Sequence, residues 1–114
     1  MSAITIYHLK ACDSCRKALK ALAAKGYDIT AIDVRADGMS LSDLENIAKA
    51  VGWEALLNTR STTWRGLDDA DKTDMDEAKA LALISAHPTL MKRPAIVGQQ
   101  TTVGWAKAQQ EIWL

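Results

Sequence analysis

The sequence predicts an α/β domain in which a four-stranded mixed sheet carries helices packed against it. Three observations predict it. β-Branched runs over residues 4–7 and 29–34 flank a stretch whose apolar residues recur every three or four positions, so the chain opens as a βαβ unit. Near the other end, short apolar runs over 95–97 and 101–103 flank Gly98-Gln99-Gln100 and read as a hairpin followed by a helix. Between these halves, residues 41–87 show helical spacing without alternation and enter as a helical insertion.

Each element follows from local chemistry. Ile4 and Ile6 alternate with Thr5 and Tyr7, the pattern of a short strand. A polar loop over 8–14 follows. From Cys15 onward, Ala18, Leu19, Leu22 and Ala23 share a helical face, with Asp13 or Ser14 expected as N-cap and Gly26 as C-cap. The second strand, over 29–34, ends at the turn pair Asp37-Gly38. Ser42 and Glu45 have capping-box spacing at the head of a helix whose apolar face is Leu41, Leu44, Ile47, Ala48 and Val51; Gly52 closes it. Residues 53–57 form a short helical turn, and 58–63 a polar loop. Six acids and one lysine over 68–77 read as the solvated start of a helix that continues through Met75, Ala78, Leu81 and Ile84 until His87-Pro88 stops it. Residues 105–113 are long enough for a last helix, with Ala106, Gln109, Ile112 and Trp113 on a weakly apolar side. No repeat or linker interrupts the chain, so residues 1–114 are expected to form a single domain.

Composition narrows the function classes. The chain has 114 residues, 48% of them hydrophobic, enough for a core without disulfide staples. Fourteen basic side chains balance fourteen acids, so no broad polyanion-binding surface is written into it, and neither nucleic acid nor membrane is an expected partner. No run approaches the roughly 18–20 apolar residues of a membrane span. The start of the chain lacks the basic and apolar segments of a signal peptide, and a cytoplasmic monomer is expected.

The two cysteines, Cys12 and Cys15, lie at the first strand-to-helix junction. A thiolate is the nucleophile in thiol chemistry, and a helix N-terminus favours it through its dipole and free N–H groups. A second cysteine three residues on can attack the mixed disulfide formed by the first. Cys12 is therefore the expected attacker and Cys15 the expected resolver. A zinc site would need four ligands. With only His8 and His87 as nitrogen donors and no second CxxC, no metal is expected. His8, at the end of the first strand, is a candidate to raise the thiolate fraction or shuttle a proton. Lys10, Arg16 and Lys17 add positive charge nearby, and Arg60 and Arg93 are basic points on separate loops. Pro94, at the start of the third strand, is a candidate cis-proline, although X-Pro bonds are normally trans. The four tryptophans, Trp53, Trp64, Trp105 and Trp113, read as core anchors or as the lining of a cleft. A βαβ opening with a CxxC at its first junction, followed later by ββα, is the thioredoxin-type arrangement.

Three separated stretches resemble one family: residues 4–12 from Ile4 through His8 to Cys12; residues 53–65 with Asn58, Arg60 and Trp64; and residues 87–97 with Lys92-Arg93-Pro94. They look like the ArsC/Spx/YffB family, the glutaredoxin-like arsenate reductase group, and the middle stretch is most similar to the YffB branch. The resemblance implies a thioredoxin fold and a glutathione-dependent thiol reductase. In it Cys12 is the reactive cysteine, His8 stands where arsenate reductases carry a histidine, and Arg93 binds an anion or thiol co-substrate before a cis Pro94, with Arg60 as a second such group. Arsenate reductases carry an arginine where this chain has Asn58, and another near the last hairpin, where it reads Val103-Gly104-Trp105. These departures point away from arsenate and toward a disulfide or other anionic substrate. The CxxC and Thr59-Arg60-Ser61 are also similar to Spx-type regulators, which implies RNA polymerase or another protein as the alternative partner.

Overall fold

The computed structural model describes residues 2–114. It has the α/β thioredoxin-like architecture, in two compact units: the residues up to Met39 together with Arg93–Leu114, and Ser40–Lys92. The expected insertion over 41–87 falls within the second unit.

The first unit holds the sheet. Its strands are β1 (Ala3–His8), β2 (Asp28–Asp33), β3 (Ala95–Val97) and β4 (Thr101–Val103), in the order β2-β1-β3-β4. β1 runs parallel to β2, with Ala3 opposite Asp28 and His8 opposite Asp33, while β3 is antiparallel to both β1 and β4. The parallel pair needs a crossover, which α1 (Asp13–Lys25) supplies. Ile4 and Ile6 point to one face by the two-residue period of a strand. There they meet Ala18 and Leu22 of α1, Ile96 of β3, and Trp113 of the last helix, all buried. Leu19, Tyr27, Ile29 and Trp105 close the edge of this core. Burying each large aliphatic here contributes about 1.5–3 kcal/mol against leaving it in water.

Gly26 and Gly98 are required for different reasons. Gly26 ends α1 at φ 98°, a left-handed conformation that other residues enter at a cost, and its N–H reaches the carbonyls of Leu22 and Ala23. Gly98 in the β3–β4 turn is required by close approach. A Cβ there would stand 2.8 Å from Ile4 Cγ2 and 3.3 Å from Trp113 Cη2.

The second unit contains α2 (Leu41–Val51), α3 (Trp53–Leu56), α4 (Thr62–Arg65), α5 (Asp69–Lys72) and α6 (Glu77–Ala86), then a single 3-10 turn, Pro88–Leu90. α2, α3 and α6 pack on one another, and Leu44, Ile47, Leu56, Leu81 and Ile84 are buried. Asn58 N–H donates to the Leu90 carbonyl at 2.7 Å, and Lys92 N–H to that of Leu56 at 2.8 Å, tying the segment after α3 to the last residues of the unit.

Three local expectations are corrected. α2 is capped by Ser40, whose Oγ accepts the Asp43 N–H at 3.1 Å, and not by Ser42. In a Ser-x-Ser sequence either hydroxyl can cap, and Ser40 places Leu41 inside the helix. The loop over 58–63 yields at Ser61, which caps α4 through the Trp64 N–H. The acidic stretch is two helices rather than one. α5 ends at Lys72, Asp74 adopts φ 52°, and Asp76 Oδ1 starts α6 by accepting the Lys79 N–H at 2.8 Å. Aspartates favour caps and turns over helix interiors, and like charges on one helix repel. Lys79 Nζ reaches back to the carbonyls of Ala70 and Thr73, bracing the break. Among the described residues, no helix is long and apolar enough to cross a membrane.

Candidate functional site

The junction between β1 and α1 is tightly tied. Cys12 N–H donates to the Leu9 carbonyl at 3.1 Å, turning the chain, and the Cys12 carbonyl accepts the first helical bond from Arg16 N–H at 3.0 Å. Cys12 itself is the N-cap, in place of Asp13 or Ser14: its backbone is extended (φ −88°, ψ 114°) and its Sγ accepts the Cys15 N–H at 3.4 Å. α1 therefore begins at Asp13, and the sulfur occupies the position where a cap oxygen normally satisfies a free N–H. An anionic sulfur there gains from both that bond and the helix dipole.

Cys12 is half-buried, and Cys15, one turn in, is buried; both are free thiols. Their acidities are split. Burial pushes the Cys12 thiol up, but hydrogen bonds from the Cys15 thiol, the Ser14 hydroxyl, the Cys15 N–H and the Arg93 side chain outweigh it, and its pKa falls below the ordinary thiol value. Ser14 Oγ is 3.4 Å from Cys12 Sγ. Cys15 is pushed up to about 12, first by burial and then by donating its hydrogen bond to Cys12. One cysteine is thus biased toward its anion at the helix start, and the other holds its proton one turn further in.

The Arg93 side chain donates a hydrogen bond to Cys12, and the Arg93–Pro94 peptide is cis, with Pro94 fully buried. Arg60 belongs to the other unit, where it is exposed; its N–H donates to Asn58 Oδ1 and its carbonyl accepts from Arg65 Nη2. His8 pairs in register with Asp33 and its charge favours the ionised form of that carboxyl. The groups acting on the Cys12 thiol are Cys15, Ser14 and Arg93. Among the described residues no group of three or more His, Cys, Asp or Glu side chains is arranged to hold a metal ion. Of the tryptophans, Trp113 is a core residue, Trp105 flanks that core, and Trp53 and Trp64 are half-buried.

Sequence reasoning missed two residues. Ser14 was legible only as a possible cap, yet it supplies a hydroxyl to the sulfur. Asp33, at the end of β2, is buried, and its carboxylate fastens the loop before Cys12. Oδ2 accepts the Lys10 N–H at 3.2 Å, and Oδ1 accepts those of Arg35 and Ala36 at 2.9 Å each. An aspartate followed by a turn ending in Asp37-Gly38 is the signal that points to such a role.

Two predictions follow from this wiring. The N–H of Ala36 leads the donors that, against the penalty of burial and with the N–H groups of Arg35 and Lys10, hold the Asp33 carboxyl below its ordinary value. A depressed folded pKa stabilises the fold above the unfolded value of about 3.9 and is lost as pH falls through the folded one. Asp33→Asn should therefore melt several degrees below wild type at neutral pH, and the gap should close as the pH is taken below 4; thermal melts across pH 2.5–7 check it. Arg93→Gln removes a cationic donor from Cys12, so the thiol pKa rises and the thiolate fraction at neutral pH falls. Iodoacetamide alkylation at Cys12, followed against pH, should show its midpoint shifted upward and a rate at pH 7 several-fold lower.

A sheet of order β2-β1-β3-β4 with an acid-shifted cysteine capping its first helix, and an arginine before a cis-proline supporting that cysteine, defines a thioredoxin-like thiol protein. The ArsC family model matches residues 7–112, and the chain belongs to the ArsC family. The solved structure of the protein YffB superposes with a TM-score of 0.90 at 36% identity, covering 97% of this chain and 98% of that one. A Haemophilus influenzae protein of no stated function is 44% identical over 94 residues, 82% of each chain. The global transcriptional regulator Spx 2 of Lactococcus lactis is 29% identical over 99 residues, covering 85% of this chain and 74% of its own.

Proposed function

We propose that the protein is a thiol–disulfide oxidoreductase that uses glutathione as co-substrate, with Cys12 as its nucleophile. The observation that carries the reading is the split between the two cysteines: a half-buried, acid-shifted Cys12 over a buried, protonated Cys15. On a glutathionylated substrate, the Cys12 thiolate attacks the glutathionyl sulfur. The bond between that sulfur and the substrate sulfur breaks, and the departing thiolate takes a proton. A glutathione thiolate then attacks the glutathionyl sulfur of the Cys12 adduct, regenerating the Cys12 thiolate and releasing oxidised glutathione. The electrons come from glutathione, and the proton it gives up balances the one taken by the product.

Cys15 is the internal alternative resolver. Once Cys12 is tied in a mixed disulfide, the hydrogen bond and charge that help to raise Cys15 are gone, but burial, the larger cause, remains. Free glutathione therefore competes well for this step. Arg93 supports the charge on sulfur in this scheme, and Arg60, exposed on its own unit, is retained as a group for anionic substrate. With asparagine at position 58 and no arginine over 103–105, a disulfide is favoured over arsenate.

The test is intact-mass analysis of the reduced protein after challenge with oxidised glutathione, and separately with arsenate plus glutathione. The expected result is a single glutathione adduct mapped to Cys12 in the first case and none in the second. No adduct at Cys12 with oxidised glutathione overturns the reading.

A second reading is favoured by the relative named Spx and by the adjacency of two free thiols: a redox-switched protein that docks on RNA polymerase. Immobilised protein, reduced or oxidised, would then retain polymerase in one state only. Retention in neither state, with robust thiol turnover, removes this reading.

A further inference from the structure

Beside the Cys12 loop lies a groove of about 250 Å³ that the chemistry above does not use, lined by Leu9, Lys10, Ala11, Asp33, Arg35 and Ala36. One wall is the loop that ends at Cys12 and the other is the turn after β2. The Asp33 carboxylate sets both walls, since it accepts N–H groups from Lys10 on one side and from Arg35 and Ala36 on the other. That carboxylate is buried and turned toward the backbone, whereas the Lys10 and Arg35 residues are exposed. Among the described residues neither Lys10 nor Arg35 is joined to a carboxylate by an ion pair. Leu9, Ala11 and Ala36 give the groove carbon surface. The site thus offers two cations over an apolar floor, and Ala11 is directly bonded to the residue carrying the reactive sulfur.

We infer that this groove seats the carboxylate-bearing part of a short thiol peptide of the glutathione class while its sulfur meets Cys12. A small inorganic anion would leave the apolar floor unused. A neutral disulfide would leave both cations unused. A peptide with carboxylates spaced along an aliphatic backbone matches both, through charge-assisted bonds of the kind arginine makes to carboxylates. The inference rests on Cys12 being the nucleophile and names what holds the co-substrate there.

The experiment measures adduct formation on the reduced protein by quenched mass analysis with two probes: oxidised glutathione, which carries carboxylates, and bis(2-hydroxyethyl) disulfide, which carries none. For the double variant Lys10→Ala/Arg35→Ala, the rate with oxidised glutathione should fall about tenfold, while the rate with the neutral disulfide stays within about twofold. Lys10→Arg alone, which keeps the charge, should hold the glutathione rate within about twofold of wild type. Raising the salt should slow wild type with oxidised glutathione and leave the double variant unaffected. An unchanged glutathione rate, or equal slowing with both probes, overturns the inference. Should wild type form no Cys12 adduct with either probe, the nucleophile reading itself falls, a result distinct from loss of the charged probe alone.

Discussion

Cys12→Ser should reduce glutathione-coupled disulfide turnover by at least about 10³-fold, whereas Cys15→Ser should keep it within about threefold of wild type. The asymmetry is physical. A serine hydroxyl at position 12 neither ionises near neutral pH nor forms the mixed disulfide on which the cycle depends. A serine at position 15 still donates an O–H to the Cys12 sulfur, so the nucleophile keeps its main side-chain support. Cys15→Ala separates support from resolution. It deletes that donor, so the Cys12 pKa rises, and turnover at pH 7 should drop several-fold and recover toward wild type as the pH is raised. Coupled assays of all three variants from pH 6 to 9 check the set. Equal collapse of Cys12→Ser and Cys15→Ser at every pH would instead make the internal disulfide obligatory.

The parts of this molecule that were legible in its sequence are those fixed by short-range rules. β1, the hairpin strands and the Gly26 end of α1 follow from side-chain period and from one residue able to take positive φ. Cys12 and Cys15 could be placed at a helix N-terminus because a strand, a polar loop and a helical repeat follow one another there. What was illegible depended on choices between equivalent groups. Ser40 and Ser42 are both competent caps, and Cys12 is a weaker acceptor than the two oxygen side chains beside it, yet it wins because the turn to Leu9 has already placed its sulfur over the Cys15 N–H. Asp33 carried only its turn signal, and its partners did not show, for another reason. Its partners Lys10, Arg35 and Ala36 are backbone donors, which carry no residue identity. Gly98 looked like a turn residue, whereas Ile4 and Trp113, distant in sequence, are what exclude a side chain.

Trp113→Ala should be the most destabilising single change outside the site, at about 3–5 kcal/mol. α7 (Lys107–Trp113) has seven residues, too short to persist alone in water, and Trp113 is its only buried side chain. That indole packs in the core with Ile4, Ile6, Leu22 and Ile96, and meets Tyr27 edge-on at 6.0 Å between ring centroids. Its Nε1–H donates to the buried Thr102 Oγ1 at 2.8 Å, tying α7 to the edge strand β4. Alanine removes the packing and strands that hydroxyl. Trp113→Phe keeps most of the buried area and loses only the bond, so it should cost about 1–2 kcal/mol. Against a total of about 5–15 kcal/mol for a domain of this size, the alanine variant should unfold at a much lower denaturant concentration, and the phenylalanine variant should lie between. Urea titrations followed by far-UV circular dichroism give the order. Hydrogen exchange locates the loss: protection should fall first in α7 and along β4. If both variants match wild type in urea midpoint, Trp113 is not the anchor of the C-terminal helix.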